Sequence, residues 1–252
     1  IAWQLDPFGH SAALMFIARK FGMEHVFLTR ISTKTYEKWA SQKTLEFLWR
    51  FPDGSDITAH IRKNYGFPDV MTDNGNFGTS HFSDSDFDQE RAENNEIYQS
   101  DNFFFAGEDF AYQEAEPIFQ FIDGIIERTP DVLYGTPLEY AKQFELNVKR
   151  DTLPVFGSDF YVYKQLWYGS WDSWTGYFST KQRLKQAVRY VGQLGRSVKT
   201  LLATAWAKQD TQKRVILTER SEEINEDLGT YLHHDCITGT AKEHVDEDYF
   251  NR

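Results

Sequence analysis

IAWQLDPFGHSAALMFIARKFGMEHVFLTR, residues Ile1 to Arg30, holds the pattern on which the fold turns. Ile1 to Asp6 is short and apolar like a strand. Ser11 to Phe21 then carries Leu14, Ile17 and Ala18 at helical spacing, until Gly22 stops the run. His25 to Arg30 is a second strand candidate. A strand, a helix and a strand linked by short turns predict a parallel pair.

The alternation continues downstream. Lys34 to Arg50 places Tyr36, Trp39, Ala40, Leu45 and Leu48 on what reads as one helical face. Asn102 to Ala106 is a third strand, Glu114 to Glu127 its helix, and another helix begins near Pro137 after Asp131 to Gly135. The prediction is an α/β domain with a parallel sheet, open or closed into a barrel. Asn64 to Glu96, rich in Asp, Asn, Gly and Ser, reads as a long loop at the working face.

After Phe178 the pattern becomes helical. Ser179 with Gln182 forms a candidate capping box, and Leu184, Ala187, Val188, Val191, Leu194, Val198, Leu201 and Leu202 follow at three- and four-residue steps, with a bend placed at Gly192 or Gly195. Glu219 to Leu232 is a further helix, and Thr240 with Glu243 caps another. The boundaries drawn are 1–178 for the α/β portion and 179–252 for a helical bundle.

A net charge of −11 disfavours nucleic acid, whose phosphates call for clustered cations. With Cys236 as the single cysteine, an internal disulfide is excluded and any metal must be held mainly by His, Asp or Glu. No apolar run reaches the roughly 20 residues of a membrane span. The 16% aromatic content suits stacking on sugar rings as well as core packing, so it only widens the candidate list.

Ligand sites of parallel α/β folds lie at the C-terminal strand ends. Asp6 and Arg30 end the first two strands there, and Glu108 with Asp109 follows the third. Two carboxylates with an arginine beside one of them form an acid/base constellation, although each alone reads equally well as a helix cap or surface charge. His233, His234 and Asp235, at the end of a helix, add a candidate metal-binding group in which adjacency lets one histidine coordinate. His10, His25, His60, His81 and His244 have no ligand spacing and read as structural.

WQLDPFGHS (Trp3 to Ser11) and HHDCITGT (His233 to Thr240) resemble signature segments of glycoside hydrolase family thirty-eight, the lysosomal and Golgi type α-mannosidases. TLEFLWR (Thr44 to Arg50), AGEDFAYQEAE (Ala106 to Glu116), YGTPLEY (Tyr134 to Tyr140) and WTGYFST (Trp174 to Thr180) follow in the family's order, the second of these nearer the lysosomal type. The resemblance implies a (β/α)7-type barrel-like catalytic domain followed by a helical bundle. It further implies zinc-dependent, retaining hydrolysis of terminal α-linked mannose on glycans, in a lysosome, acidic vacuole or the secretory pathway.

Residue by residue, it implies Asp6 as nucleophile and zinc ligand, Asp109 as general acid/base, and His234 as a zinc ligand. Phe8, Arg30, Tyr65, Trp174 and Asp235 would line or support the sugar subsite. The family's upstream His-X-Asp segment, which brings two more ligands, has no match here, nor does its β-rich C-terminal region. Both are expected on further polypeptide of the same precursor. Two other readings compete, a carbohydrate-binding fragment without turnover and a metal-dependent polysaccharide deacetylase, whose activated water would need no covalent intermediate.

Overall fold

Two parallel strands, β1 (Ala2–Gln4) and β2 (His25–Leu28), set Trp3 beside Phe27 and Gln4 beside Leu28. The computed structural model describes residues 1–63, 65–67, 72–73, 76–77, 84–167 and 169–251, so His81 and much of the segment expected as a loop lie outside them. Between the strands runs α1 (Ala12–Lys20), where Ser11 Oγ accepts from the Ala13 N–H and Arg19 and Lys20 occupy the last turn. That arrangement satisfies an orphan donor at one end and complements the helix dipole at the other.

All four side chains of β2 are buried, as expected of a parallel strand covered on both faces. Next come α2 (Thr33–Ser41), β3 (Glu46–Arg50) and β4 (Asp56–Ile61). The helix read through Lys34 to Arg50 therefore ends at Ser41. From Leu45 to Trp49 every residue is buried, which a helix with one apolar face cannot achieve but a core strand can. A tight turn reverses the chain after β3: Phe51 N–H donates to Ser55 O at 2.8 Å, and Gly54 takes a φ of 84° that suits glycine.

The sheet order is β1-β2-β4-β3 with β7 (Val155–Phe156) at the far edge, and β3 runs antiparallel to β4 in an otherwise parallel array. Among the described residues this sheet is open, with β1 and β7 as its edges. Asn102 to Ala106, expected as a strand, joins no ladder. Its rings instead pack Phe103 and Phe105 against the cluster of Leu5, Phe27, Tyr140 and Phe144, so hydrophobic burial substitutes for strand pairing.

Within the expected loop, β5 (Thr72–Asp73) pairs with β6 (Asn76–Phe77), and α3 (Asp84–Ile97) forms a helix too polar for its periodicity to show. The remaining elements of this unit are α4 (Ala115–Arg128), α5 (Pro137–Asn147) and the hairpin of β8 (Lys164–Trp167) and β9 (Ser170–Ser173). Thr136 and Glu139 make a reciprocal capping box at the start of α5.

The chain divides into two units, Ile1–Ser173 and Trp174–Arg252. The second contains α6 (Gln182–Trp206), α7 (Thr211–Tyr231) and α8 (Glu243–Phe250). The Ser179–Gln182 box does not form: the N-cap of α6 is Lys181, left-handed and without a side-chain cap bond. Helix α7 starts at an Asp210 cap, well before Glu219, because Val215 and Ile216 are exposed and leave no amphipathic signal there. Thr240 does not cap α8, whose N-cap is Lys242. Gly195, read as a bend, is where α7 comes close to α6, since a Cβ there would meet Leu228 Cδ1 at 2.9 Å. No helix among the described residues is long and apolar enough to cross a membrane.

At the centre of the first unit Glu46 is fully buried. Its Oε1 accepts from the Tyr140 hydroxyl at 2.7 Å, Ser100 Oγ at 3.0 Å and Arg62 Nη2 at 3.3 Å, and lies 3.5 Å from His60 Nδ1. Its Oε2 accepts from the Gln99 N–H at 3.0 Å. Burial alone would raise this carboxyl, yet the bond from His60 and the charge of Arg62 hold it at about 2. Burial brings His60 down to about 4 against the pull of Glu46, and His10 to about 4 against its bond to Thr29.

Two outcomes follow for stability. Glu46→Ala leaves Arg62 buried without its counter-charge and is expected to cost about 3–5 kcal/mol, read as a lower denaturant midpoint at unchanged slope. The histidines titrate near 6.5 when unfolded and near 4 when folded. Below 6.5 the unfolded chain therefore binds protons that the folded one refuses, and stability falls as pH drops to about 4. Glu46, depressed from 4.5 to about 2, extends the loss below 4.5. A denaturant midpoint that stays level from pH 6.5 to 4 would contradict this assignment.

Candidate active site

The register that places Gln4 beside Leu28 carries forward two residues and brings Asp6 beside Arg30, just past the C-terminal ends of β1 and β2. Arg30 Nε donates to Asp6 Oδ1 at 2.5 Å, and an Nη of the same guanidinium also contacts that oxygen. Both side chains are mostly buried, so the pair is less screened than an exposed one. The guanidinium lies 5.3 Å from the Phe8 ring centroid and 5.0 Å from that of Tyr65, giving the charge two aromatic faces.

Local backbone geometry makes this placement specific. Arg30 has a φ of 42°, uncommon for a residue with a Cβ, and it turns the chain at the strand end. The preceding residue is clamped from both sides: Thr29 Oγ1 donates to Leu5 O, and Thr29 O lies 2.7 Å from His10 Nε2. Being neutral and buried, His10 donates there. Gly9 has a φ of 89°, and a Cβ on it would sit 2.5 Å from Phe160 O. The loop from Leu5 to His10 is thus fastened to both the end of β2 and the Phe160 segment.

Asp109 is exposed on a turn that leads through the left-handed Phe110 into a 3-10 turn and α4. The Tyr65 hydroxyl is raised above its usual range by burial, then by the charges of Asp109 and Asp6, with Arg30 opposing. Both candidate carboxylates therefore act on one phenol. Glu108 packs against Gly66, where a Cβ would meet its side chain at 3.2 Å, and it is raised by burial and by Asp109. The first unit thus groups Asp6, Phe8, Arg30 and Tyr65, with Asp109 in the same electrostatic field. Thr29 and His10, as a clamp, carry no local sequence signal for a place at this site.

In the second unit Trp174 is half-buried at the start, and the His233–Asp235 segment lies in a turn after α7. The two histidine rings stack at 4.3 Å. His233 Nδ1 accepts from the Asp235 N–H at 3.1 Å, which commits that lone pair. Asp235 Oδ1 accepts from Thr240 Oγ1 at 2.5 Å, and Asp235 O accepts from the Thr240 and Ala241 N–H groups. Gly239, at a φ of 73°, lets the turn close over Lys181. Cys236 is buried beneath it with Leu184 and Val188.

One ligand atom from each of His233, His234 and Asp235 lies within 4.8 Å of the others. Two nitrogens and a carboxylate oxygen are donors that zinc accepts, and sharing an ion would need separations of roughly 3 to 4 Å, a modest side-chain adjustment. The donor chemistry fits as part of a site. It does not make a complete one, because His233 and Asp235 already hold bonds within the turn.

Residues 1–165 match the family model described as Glycosyl hydrolases family 38 N-terminal domain, and residues 172–252 match Alpha mannosidase middle domain. A probable alpha-mannosidase of Arabidopsis thaliana is 29% identical over 100% of this chain and 25% of its own length. Alpha-mannosidase F of Dictyostelium discoideum is 29% identical over 99% and 26%, and the lysosomal alpha-mannosidase of that organism 28% identical over 100% and 27%. The chain spans about a quarter of the length of these curated relatives.

Gly9→Ala is expected to be poorly tolerated, from the left-handed strain and the collision with Phe160 together. A loss of about 1–3 kcal/mol from strain alone is expected in equilibrium unfolding. Stability equal to that of the parent would show that the loop can move aside.

Proposed function

The chain belongs to glycosyl hydrolase family 38, and from that premise we propose that it is the catalytic portion of a zinc-dependent, retaining α-mannosidase removing terminal α-linked mannose from glycans. The observation that carries the reading is the Asp6–Arg30 pair at the ends of two parallel strands, inside the WQLDPFGHS segment. A carboxylate held on one oxygen by a guanidinium presents the other for attack. The field of Asp109 at Tyr65 supports a second carboxyl in the same region.

In the proposed reaction Asp6 attacks the anomeric carbon while Asp109 gives its proton to the departing glycosidic oxygen. A mannosyl ester on Asp6 results. Asp109, now ionised, takes a proton from water as that water attacks the anomeric carbon, which frees mannose and restores both carboxyl groups. Arg30 keeps Asp6 oriented throughout. Phe8, Tyr65, Trp174 and Asp235 are assigned to the sugar subsite, with Asp235 accepting from hydroxyl groups and Trp174 offering a stacking face.

Asp6 and His234 are assigned as zinc ligands, and two more are expected on further polypeptide of the same precursor. When bound, zinc would hold vicinal hydroxyls of mannose and support the charge that develops there. A family-like barrel formed with that polypeptide and a lysosomal or vacuolar setting are part of the same proposal. The lysosomal enzymes among the relatives support the setting.

The whole protein provides the test. Asp6→Asn should abolish turnover and lower zinc content together, and a fluorinated mannosyl fluoride should label Asp6 in the parent, as seen by peptide mass. Asp109→Asn should slow poor leaving groups by about 10²-fold or more and activated aryl mannosides much less. Full activity with Asn at position 6, or equal losses for both leaving groups at position 109, would remove the assigned role.

A further inference from the structure

Thr240, which the sequence suggested as a helix cap, leaves that place to Lys242 and turns its hydroxyl elsewhere. Thr240 Oγ1 lies 2.5 Å from Asp235 Oδ1. An ionised carboxylate has no proton to give, so the hydroxyl is the donor. A short bond of this kind is charge-assisted and roughly twice as strong as one between neutral groups. The backbone joins the same two residues, because the Thr240 and Ala241 N–H groups both donate to Asp235 O at 3.2 Å.

Thr240 is in turn held from outside the turn. Two lysines at the start of α6 reach its neighbours: Lys185 Nζ donates to Thr238 O at 2.9 Å, and Lys181 Nζ donates to Ala241 O at 2.9 Å while pairing with Asp246. Thr238 Oγ1 donates to His234 O, so that hydroxyl does not compete for the carboxylate. The backbone on both sides of Thr240 is thus anchored to α6, and its hydroxyl is a fixed reference for an aspartate side chain that could otherwise rotate. We propose that Thr240 is a positioning residue, which holds one oxygen of Asp235 and thereby aims the other at sugar hydroxyls. The proposal rests on the assignment of Asp235 to the sugar subsite, and Thr240 acts through Asp235 without contact to substrate.

Thr240 is exposed, so Thr240→Val removes the donor and keeps the branched shape without disturbing the core. In the whole protein the dissociation constant of deoxymannojirimycin, an iminosugar with the hydroxyl pattern of mannose, is expected to rise about 5-fold or more in calorimetry, the effect of losing a hydrogen bond to a charged group. Thr240→Ser keeps the hydroxyl and should stay within about two-fold of the parent, which a loss of packing alone would not allow. In a double-mutant cycle with Asp235→Ala, Thr240→Val should change the constant by no more than about two-fold in the Ala background, whereas independent effects multiply.

A second readout needs no sugar: crystals of the whole protein should show the Asp235 carboxylate rotated in Thr240→Val and unmoved in Thr240→Ser. An unchanged dissociation constant in Thr240→Val, an equal loss in Thr240→Ser, fully multiplicative losses in the cycle, or a carboxylate that keeps its rotamer in Thr240→Val would each overturn the proposal. A parent protein that binds no iminosugar and hydrolyses no mannoside would instead overturn the functional reading, and the rotamer of Asp235 would still decide the positioning role.

Discussion

The burial of one carboxylate governs the first unit. Glu46 has no access to solvent, and an isolated charge there would be costly by several kcal/mol. It is tolerated because its partners come from three places in the chain: His60 and Arg62 at the end of β4, Gln99 and Ser100 after α3, and Tyr140 on α5. Arg62 also lies over the Tyr98 ring at 4.2 Å. Satisfying the charge thus fixes which segments surround the antiparallel end of the sheet. It also reaches toward the site, because Tyr65 follows Arg62 closely and Asp109 lies at the end of the coil that leaves Ser100.

A second polar chain adjoins the first. His25 Nδ1 lies 3.0 Å from His60 Nε2, and His25 Nε2 lies 3.0 Å from Glu145 Oε1. One ring must donate to the other, so the two rings cannot both be imidazolium and keep that bond. His60, buried and held neutral, packs β4 against α5 at the cost of resistance to acid.

The strand-end pair rests on a different physical footing from the buried network. Asp6 and Arg30 meet because parallel pairing sets the register, while their precise approach depends on left-handed Arg30, glycine at position 9 and the clamps on Thr29. Carboxylate, guanidinium and flanking rings leave one face of Asp6 directed by tertiary contacts.

The amino-acid sequence alone determined the first βα unit, the helices near Glu114, Pro137 and Gln182, and the candidates Asp6, Arg30 and Asp109. Asp6 and Arg30 follow from strand ends and the helices from short-range periodicity, whereas the stretch before Asp109 is no strand and only the AGEDFAYQEAE motif singled that residue out; the ordered motifs carried family membership. Only the tertiary structure decided that Leu45 to Trp49 is a strand, since a run buried on every side has no helical or alternating period. It likewise decided that Asn102 to Ala106 stays out of the sheet, where ring packing replaces pairing, and that α7 begins at Thr211 with apolar residues exposed. The clamps of His10 and Thr29 and the partners of Glu46 join residues far apart in the chain. Their geometry arises only when the packed sheet fixes both ends, so no local pattern could have announced them.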